Sequence, residues 1–340
     1  MSSGKKNILI TGGAGFIGSN FIEYLLQNFN QYHVINLDKL TYAGELSNLE
    51  SVSSNDNYTF VKGDICNKDI IQNLFSRYSI SHIIHFAAES HVDNSINSPD
   101  AFVNTNVVGT FNLLEVARNN WMKAPFASKE SCEENRFHHI STDEVYGTLG
   151  KTGLFTETTP YAPNSPYSAS KASSDFLVRS YHHTYGLNVV TTNCSNNYGP
   201  KQHDEKLIPT IIRKALKGKK IPIYGDGKNI RDWLYVLDHC KGIDLVFHKG
   251  KTGETYNIGG KNERDNLCIA NKICSILDEI IPNEESYENQ IRFVKDRSGH
   301  DFRYAVDASK IENELGWQAK ENFESGIYKT VQWYLNKYRL

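Results

Sequence analysis

Apolar and polar positions in residues 1–200 switch repeatedly between short apolar runs and longer stretches in which apolar residues recur with helical period. The first run stops at a glycine cluster, and a helical pattern follows from Phe16 to Phe29. The runs predicted to be strands are Lys6 to Thr11, Tyr32 to Asp38, Tyr58 to Ile65, His82 to Ala88, His138 to Thr142 and Asn188 to Ser195. This alternation predicts an α/β protein with a Rossmann-type, doubly wound parallel sheet.

The regular alternation weakens after Pro200, where a helical stretch over Ile208 to Leu216 leads into short apolar runs and loops rich in Gly, Asp and Asn. We therefore predict a Rossmann domain over residues 1–200. Residues 201–340 are expected to form mainly a smaller C-terminal α/β substrate-binding lobe. Segments around 234–258 are expected to return to the first domain.

Composition excludes several classes of protein. The chain has 340 residues, 37 basic and 39 acidic, and a net charge of -2, so nucleic acid or an anionic membrane surface is not expected as its main partner. No window reaches the roughly 18 apolar residues of a spanning helix, and no signal segment is visible, so we expect a cytoplasmic protein. The 6 cysteines contain no metal-binding spacing, which favours free thiols and no metal site.

The glycine cluster has the spacing of a dinucleotide-binding turn. Gly12, Gly15 and Gly18 follow the first predicted strand and open the first helix, where the backbone must approach a pyrophosphate closely. Asp38 ends the second strand and can accept from both ribose hydroxyls, which favours NAD over NADP; Lys39 beside it leaves that choice open. Further candidates for cofactor or substrate contact at strand ends are Asp64, Ile65, Ala87, Ala88, Ser90 and His91.

A tyrosine and a lysine form the candidate oxidising pair. Tyr167 and Lys171 are four residues apart in a helical pattern and therefore share a face. The ammonium group and a positive nicotinamide ring favour the phenolate of Tyr167, which can then take a hydroxyl proton while hydride leaves the same carbon. Thr142, at the end of a predicted strand, can hold the same hydroxyl.

Two adjacent carboxyl groups, Asp143 and Glu144, follow Thr142 directly. In a partly dry pocket they do not both ionise easily, so at least one pKa is expected to rise and to leave an acid at neutral pH. The combination indicates one pocket that oxidises an alcohol, removes a proton from carbon and expels water.

These motifs resemble the extended short-chain dehydrogenase/reductase superfamily over essentially the whole chain. Within it, the stretches 87–93, 141–147, 194–200 and 205–209 closely resemble the dTDP-glucose 4,6-dehydratase family. The resemblance implies an NAD-dependent hydro-lyase that converts dTDP-glucose to dTDP-4-keto-6-deoxy-glucose, a rhamnose-type deoxysugar precursor. In that reaction C4 is oxidised, water is eliminated across C5 and C6, and hydride returns to C6.

The resemblance also assigns roles to residues. Tyr167, Lys171 and Thr142 serve oxidation at C4, Glu144 is the base that removes the C5 proton, and protonated Asp143 is the acid that releases the C6 hydroxyl. Additional cofactor contacts implied by the family are Phe16, Ile17, Lys39, Leu40, Thr41, Thr105 and Asn197. Substrate contacts, besides His91 and Thr142, are Asn196, Lys206, Leu207, Pro222, Ile223, Tyr224, Arg231, Asn266, Arg297 and His300.

Three positions depart from the family pattern: Asn94, Ser298 and Phe302 stand where other residue types are expected. Alternatives left open by the sequence are a 4,6-dehydratase acting on a UDP-sugar, and a nucleotide-sugar epimerase or decarboxylase. The adjacent Asp and Glu argue against the last two, and the intact catalytic set argues against a silent NAD-binding module. A homodimer is expected from the family, with the helix after Tyr167 and a helix over Ala101 to Ala117 as the candidate interface.

Overall fold

The computed structural model describes residues 5–296 and 299–338, which form an α/β protein. The strands are β1 Lys6–Thr11, β2 Tyr32–Asp38, β3 Tyr58–Lys62, β4 His82–His85, β5 Met122–Ala124, β6 Ala127–Ser128, β7 Arg136–Thr142, β8 Val189–Cys194, β9 Asn196–Tyr198, β10 Ile221–Tyr224, β11 Ile230–Tyr235, β12 Thr255–Ile258, β13 Glu263–Asp265, β14 Ile291–Val294 and β15 Arg303–Tyr304.

The α-helices are α1 Phe16–Asn28, α2 Lys68–Tyr78, α3 Val92–Asn97, α4 Pro99–Phe102, α5 Thr110–Trp121, α6 Pro166–Tyr185, α7 Leu207–Leu216, α8 Val236–Lys249, α9 Asn266–Ile280, α10 Ser309–Leu315 and α11 Phe323–Tyr338. Short 3-10 helices lie at Leu46–Val52, Asp143–Tyr146 and Tyr287–Gln290, and a π-helix lies at Val103–Gly109.

A parallel seven-stranded sheet in the order β12-β8-β7-β4-β1-β2-β3 forms the main layer. Successive side chains of a strand point to opposite faces, so Ile8 and Ile10 of β1 pack into one core while Leu9 packs into another. Helices α1 and α8 cover the first face, and α2, α5 and α6 cover the second. The doubly wound parallel sheet predicted from the alternating pattern is confirmed.

The later part of the chain contributes to this sheet and builds a second core. β12 pairs in parallel with β8 and forms one edge of the seven-stranded sheet. The second core lies among α7, α9 and α11 and includes Ile211, Ile273 and Val331. Two smaller sheets flank it: β10 with β14, and β13-β11-β15 with β9 paired to β11. A single residue, Ser195, separates β8 from β9 and so connects the large sheet to this second region.

The structure corrects three predicted elements. β3 ends at Lys62 and β4 at His85, so the chain leaves the sheet a few residues earlier than expected. The predicted helix Ala101 to Ala117 is interrupted by the π-helix Val103–Gly109. In this segment Asn106 donates to the Glu89 carbonyl and to Ser170 Oγ, which ties the irregular turn to the neighbouring elements. π-Helical turns often mark functional sites.

Within the described residues, no helix is long and apolar enough to span a membrane.

Candidate active site

A cleft opens at the carboxyl edge of the seven-stranded sheet, where ligands of open α/β sheets bind. It brings together the five predicted catalytic residues and almost all predicted cofactor contacts. Those lining it are Gly12, Gly15, Phe16, Ile17, Gly18, Asp38, Lys39, Thr41, Asp64, Ile65, Ala87, Ala88, Ser90, Thr105, Thr142, Asp143, Glu144, Tyr167, Lys171, Asn196, Asn197 and Lys206. Leu40 is next to the cleft, where its amide donates to Asp38 Oδ1 over 2.8 Å.

The glycine turn leaves room for a ligand at the start of α1. Gly12 has φ +72°, and a Cβ there would lie 2.6 Å from the Ala87 backbone, so only glycine fits against the segment that follows β4. A Cβ at Gly15 would contact only the Gly12 carbonyl, at 3.3 Å, and would project into the cleft. The turn thus forms a cradle beside a helix N-terminus, the geometry that suits a dinucleotide pyrophosphate.

Asp38 and Lys39 occupy the end of β2, at the position expected for the adenosine ribose. Asp38 Oδ2 accepts from the Ala14 amide at 2.9 Å, so the carboxylate also fixes the glycine turn. Lys39 Nζ forms an ion pair with Asp64 Oδ2 at 2.7 Å. The Asp64 carboxylate therefore balances the positive charge of Lys39. The negative charge of Asp38 then favours a free ribose over a 2'-phosphate.

Tyr167, Thr142 and Lys171 converge in the cleft. Helix α6 begins with a capping box at Ser165, which sets the orientation of its first turns. Thr142 lies close enough to the Tyr167 phenol to lower its pKa, and Lys171 Nζ donates to the Ile140 carbonyl over 2.9 Å. The residues expected to hold and deprotonate one hydroxyl are thus adjacent.

Burial dominates the acid–base properties of this pair. It raises the pKa of Tyr167 well above the usual value, and the negative charge of Glu144 adds to the effect. Burial also lowers the pKa of Lys171, while Asp175 and Cys194 oppose the change. Burial and the charge of Glu144 outweigh any lowering by Lys171, so the lowered pKa of Tyr167 expected from the ammonium group and the nicotinamide ring stays a prediction for the NAD-bound protein.

Asp143 and Glu144 open a short 3-10 helix directly after β7. Asp143 is 2% exposed, and burial, followed by the charges of Glu144 and Asp232, raises its pKa well above the usual value. Asp143 Oδ1 accepts from the Thr142 hydroxyl at 3.3 Å, and among the described residues Asp143 Oδ2 has no hydrogen-bond partner. Burial therefore favours the protonated form of Asp143, the form in which a carboxyl group can act as an acid.

The second region closes the opposite side of the cleft. Lys206 Nζ donates to the Ser90 carbonyl over 3.0 Å, just before α7 begins at Leu207. His91 caps α3, and its Nε2 lies 3.9 Å from Glu205 Oε2. Several residues expected to contact substrate therefore meet where the two regions touch.

The predicted nucleotide contacts on β10 point in two directions. Pro222 is half-buried and Tyr224 is exposed, whereas Ile223 is buried in the second core, so its side chain cannot contact a ligand as expected. Tyr224 OH donates to Asp93 Oδ2 at 3.2 Å, and its ring lies 6.4 Å from that of His300. Tyr224 and His300 thus border one surface, and Asn266 starts α9 at the edge of β13.

Arg231 was expected to bind a pyrophosphate, and its guanidinium is tightly held by the protein. It donates to the carbonyls of Ile230, Asp301 and Phe302 and lies 4.3 Å above the Tyr304 ring. Arg297 and Ser298 lie outside the described residues. The Asn94 backbone N–H donates to His91 Nδ1, and the Phe302 side chain is exposed, so neither departure removes a group from the cleft.

Two residues near the carboxyl pair were missed by the sequence argument. The phenol of Tyr304 donates to Asp301 Oδ2, and its pKa is raised by burial and then by the charge of Glu144, which places it near that carboxylate. Asp232 is buried and accepts from the amides of Gly260 and Asn262, and its charge acts on Asp143. Both come from remote strands and carry no local motif.

Comparisons with known proteins agree with this site. The family described as GDP-mannose 4,6 dehydratase matches residues 9–330. The chain is 56% identical over 329 residues to a dTDP-glucose 4,6-dehydratase of Xanthomonas campestris, covering 96% of this chain and 92% of that protein.

Solved structures give the same result. A dTDP-glucose 4,6-dehydratase from Bacillus anthracis, crystallised in complex with NAD, has a TM-score of 0.85 and 48% identity, covering 98% of this chain and 97% of that one. The DesIV dTDP-glucose 4,6-dehydratase from Streptomyces venezuelae, crystallised with NAD bound, has a TM-score of 0.88 and 44% identity, covering 97% of each chain. With these matches over nearly its full length, the chain belongs to the dTDP-glucose 4,6-dehydratase family.

Proposed function

We propose that this protein dehydrates dTDP-glucose to dTDP-4-keto-6-deoxy-glucose with NAD, and so supplies a deoxysugar precursor. The observation that carries the proposal is that Asp143, whose pKa is raised by burial, lines the same cleft as Glu144, Tyr167 and Thr142. An epimerase needs the oxidising pair alone. A dehydratase also needs an acid and a base for C5 and C6, and both carboxyls are in the same cleft.

The glycine cradle supports NAD as the cofactor. Gly12 and Gly15 would hold the pyrophosphate at the N-terminus of α1, and Asp38 would accept from the adenosine ribose. Tyr167 and Lys171 would border the nicotinamide ribose at the other end. When bound, NAD supplies the hydride acceptor for C4 and returns the hydride at C6.

The side chains divide the remaining chemistry. Thr142 orients the C4 hydroxyl, and Tyr167 takes its proton, with Lys171 on the same face of α6 to stabilise the phenolate. The resulting ketone acidifies the C5 proton, which Glu144 removes. Asp143 gives its proton to the departing C6 hydroxyl, and a proton returns to C5 when C6 is reduced.

The second region supports recognition of the nucleotide diphosphate. We assign cofactor binding to residues 1–200 with the returning segments around 234–258, and nucleotide-sugar binding mainly to residues 201–340. Asn196, Lys206, Leu207 and Asn266 would contact the substrate, with Pro222, Tyr224, Arg231, Arg297 and His300 serving the nucleotide. Ile223 can contribute its backbone alone, because its side chain is buried.

A homodimer is supported by apolar side chains exposed on adjacent helical segments. Val103 and Val108 of the π-helix, Phe111 of α5 and Phe176 of α6 are between 40% and 56% exposed, although each is a large apolar residue. These segments pack side by side, so the four side chains suit a second copy of the chain. The free thiols of all 6 cysteines suit a reducing compartment, and we propose the cytoplasm as the site of action.

The substrate is tested by offering dTDP-glucose, UDP-glucose and UDP-GlcNAc separately to the NAD-loaded protein in D2O. We expect a 4-keto-6-deoxy product from dTDP-glucose, with one solvent deuterium at C5. A 4-epimer without solvent deuterium would indicate an epimerase instead. Faster turnover of either UDP-sugar would assign the enzyme to a uridine nucleotide.

A further inference from the structure

A buried carboxylate lies behind the oxidising pair, away from the groups assigned to the reaction. Asp175 is one helical turn after Lys171 on α6, and the two residues are 5% and 4% exposed. Asp175 Oδ1 accepts from His139 Nε2 at 3.0 Å, and Oδ2 accepts from Ser141 Oγ at 2.8 Å and from Tyr161 OH at 3.0 Å. Three neutral donors therefore satisfy this carboxylate without a direct ion pair.

We propose that Asp175 is a positioning residue for the oxidation step, and that its buried negative charge keeps Lys171 in the ammonium form that Tyr167 requires. This proposal rests on the function proposed above, because it concerns the same oxidation at C4. It adds a residue that does not line the cleft and that no motif in the sequence singled out.

The hydrogen bonds show how Asp175 acts on geometry. His139 and Ser141 alternate along β7 and both reach Asp175, while the Ile140 carbonyl between them accepts from Lys171 Nζ. Helix α6 thus holds three successive residues of β7 immediately before Thr142. The position of the Thr142 hydroxyl depends on this attachment.

The charge of Asp175 also acts on Lys171. Burial lowers the pKa of Lys171, and the nearby carboxylate of Asp175 is the largest opposing effect. In return, Lys171 stabilises ionised Asp175, although burial still raises the pKa of Asp175 to about 6. At neutral pH Asp175 is therefore ionised and Lys171 has a counter-charge inside the protein.

The groups around this pair from other elements are neutral. Burial lowers the pKa of the neighbouring histidines well below the usual value and raises the pKa of the neighbouring phenols and thiol. These groups are His85 of β4, His139 of β7, Cys194 of β8, Tyr146 of the 3-10 helix and Tyr161 of the loop before α6. Lys171 and Asp175 therefore carry the charge of this cluster, and protonation of Asp175 removes the counter-charge of Lys171.

The test follows the titration of Lys171 itself, which needs no turnover. Protein labelled with ¹³C at lysine Cε is titrated by NMR, and Lys171→Met assigns the resonance. In Asp175→Asn we expect the pKa of Lys171 to fall by about one unit, since a nearby opposite charge shifts a pKa by roughly 1 to 3 units. Tyr161→Phe removes one donor and keeps the carboxylate, and is expected to leave the titration of Lys171 in place.

Kinetics provide the matching readout. In Asp175→Asn, kcat at neutral pH should fall about tenfold, and KM should stay within about twofold of the wild-type value. The pH at which kcat declines on the alkaline side should be about one unit lower than in the wild type. Asp175→Glu should restore both the titration and kcat. Unchanged Lys171 titration in Asp175→Asn, or equal loss of activity in Asp175→Asn and Tyr161→Phe, would overturn the proposal.

The wild-type protein keeps the proposal testable if Asp175→Asn does not fold. Its Lys171 resonance should show a second, smaller step near pH 6, as Asp175 takes up a proton. Absence of that step would contradict the coupling. Failure of the proposed function can be distinguished from failure of this proposal. The titration of Lys171 can still be measured by NMR in a protein that forms no keto sugar from dTDP-glucose.

Discussion

The Thr142 hydroxyl lies 3.3 Å from Asp143 Oδ1, so the residue proposed to orient the C4 hydroxyl also contacts the proposed acid for C6. Thr142 is the last residue of β7, and Asp143 is the first of the 3-10 helix that follows. The residues proposed for oxidation and for elimination are therefore neighbours in the sequence. Substitutions at the two carboxyls should separate these steps without removing the oxidising pair.

Glu144→Gln should stop removal of the C5 proton while leaving oxidation at C4 in place. An amide of the same shape cannot act as a base, and loss of one general base costs roughly 10² to 10⁴ in rate. The measurement is incorporation of solvent deuterium at C5, followed with the keto product by NMR. Exchange at the wild-type rate would show that another group is the base.

Asp143→Asn should slow water loss by a similar factor, roughly 10² to 10⁴, because an amide has no acidic proton to give. Exchange at C5 should persist, since Glu144 is unchanged. The raised pKa of Asp143 adds a pH dependence, because the protonated acid is lost, and water elimination should slow, as pH rises through that raised value. Equal loss of C5 exchange and water elimination would contradict separate roles for the two carboxyls.

Gly15→Ala should weaken NAD binding with little effect on folding. The added methyl group would meet only the Gly12 carbonyl inside the protein and would project into the cleft. Gly150→Ala is the matched control, because a Cβ there has nothing within 4 Å. We expect NAD affinity measured by calorimetry to fall more than about tenfold, the equivalent of 1.4 kcal/mol, in Gly15→Ala alone. Equal affinities in the two variants would argue against the cradle.

Phe176→Asp should convert the proposed dimer to monomer, because a charged side chain replaces an exposed apolar one on the proposed interface. Phe126→Asp is the control, since Phe126 is 71% exposed but lies between β5 and β6. Sedimentation velocity of the two variants and the wild type gives the answer. A dimer in both variants would place the interface elsewhere.

His82→Asn should reduce the loss of stability at mildly acidic pH. Burial lowers the pKa of His82 to about 3, so below its usual value near 6.5 the unfolded chain binds a proton that the folded protein excludes. The free energy of unfolding therefore falls by about 2 kcal/mol between pH 6.5 and 5 because of this residue. An asparagine can still accept from the Arg136 amide, as His82 Nδ1 does, but it does not titrate. Urea unfolding at both pH values measures the free energy of unfolding of the wild type and of His82→Asn. An equal loss of stability on acidification in the two proteins would contradict the prediction.

Local patterns were enough to predict the sheet, the glycine turn and the residues at the ends of elements, whereas Thr105, Asn197 and Lys206 were added to the cleft by the family resemblance alone. Gly12, Asp38 and Tyr167 each sit at the end of an element that its own sequence defines, and parallel strands bring such ends to one edge. Tyr304 and Asp232 were not predictable, because they reach the carboxyl pair through long-range pairing of short strands. The buried side chain of Ile223 was missed for the same reason, since the register of β10 against α7 and β14 decides which residues face the core.

The edge strand β12 has a consequence for how the chain folds during synthesis. Thr255–Ile258 completes the seven-stranded sheet, and α8 covers the face of β1 that carries Ile8 and Ile10. A nascent chain that has emerged only as far as residue 200 therefore exposes an apolar sheet face and an open edge beside β8. This core also contains Trp317, so the ribosome must release more than a hundred further residues before the core can close, and the first 200 residues have to wait for the part that follows them.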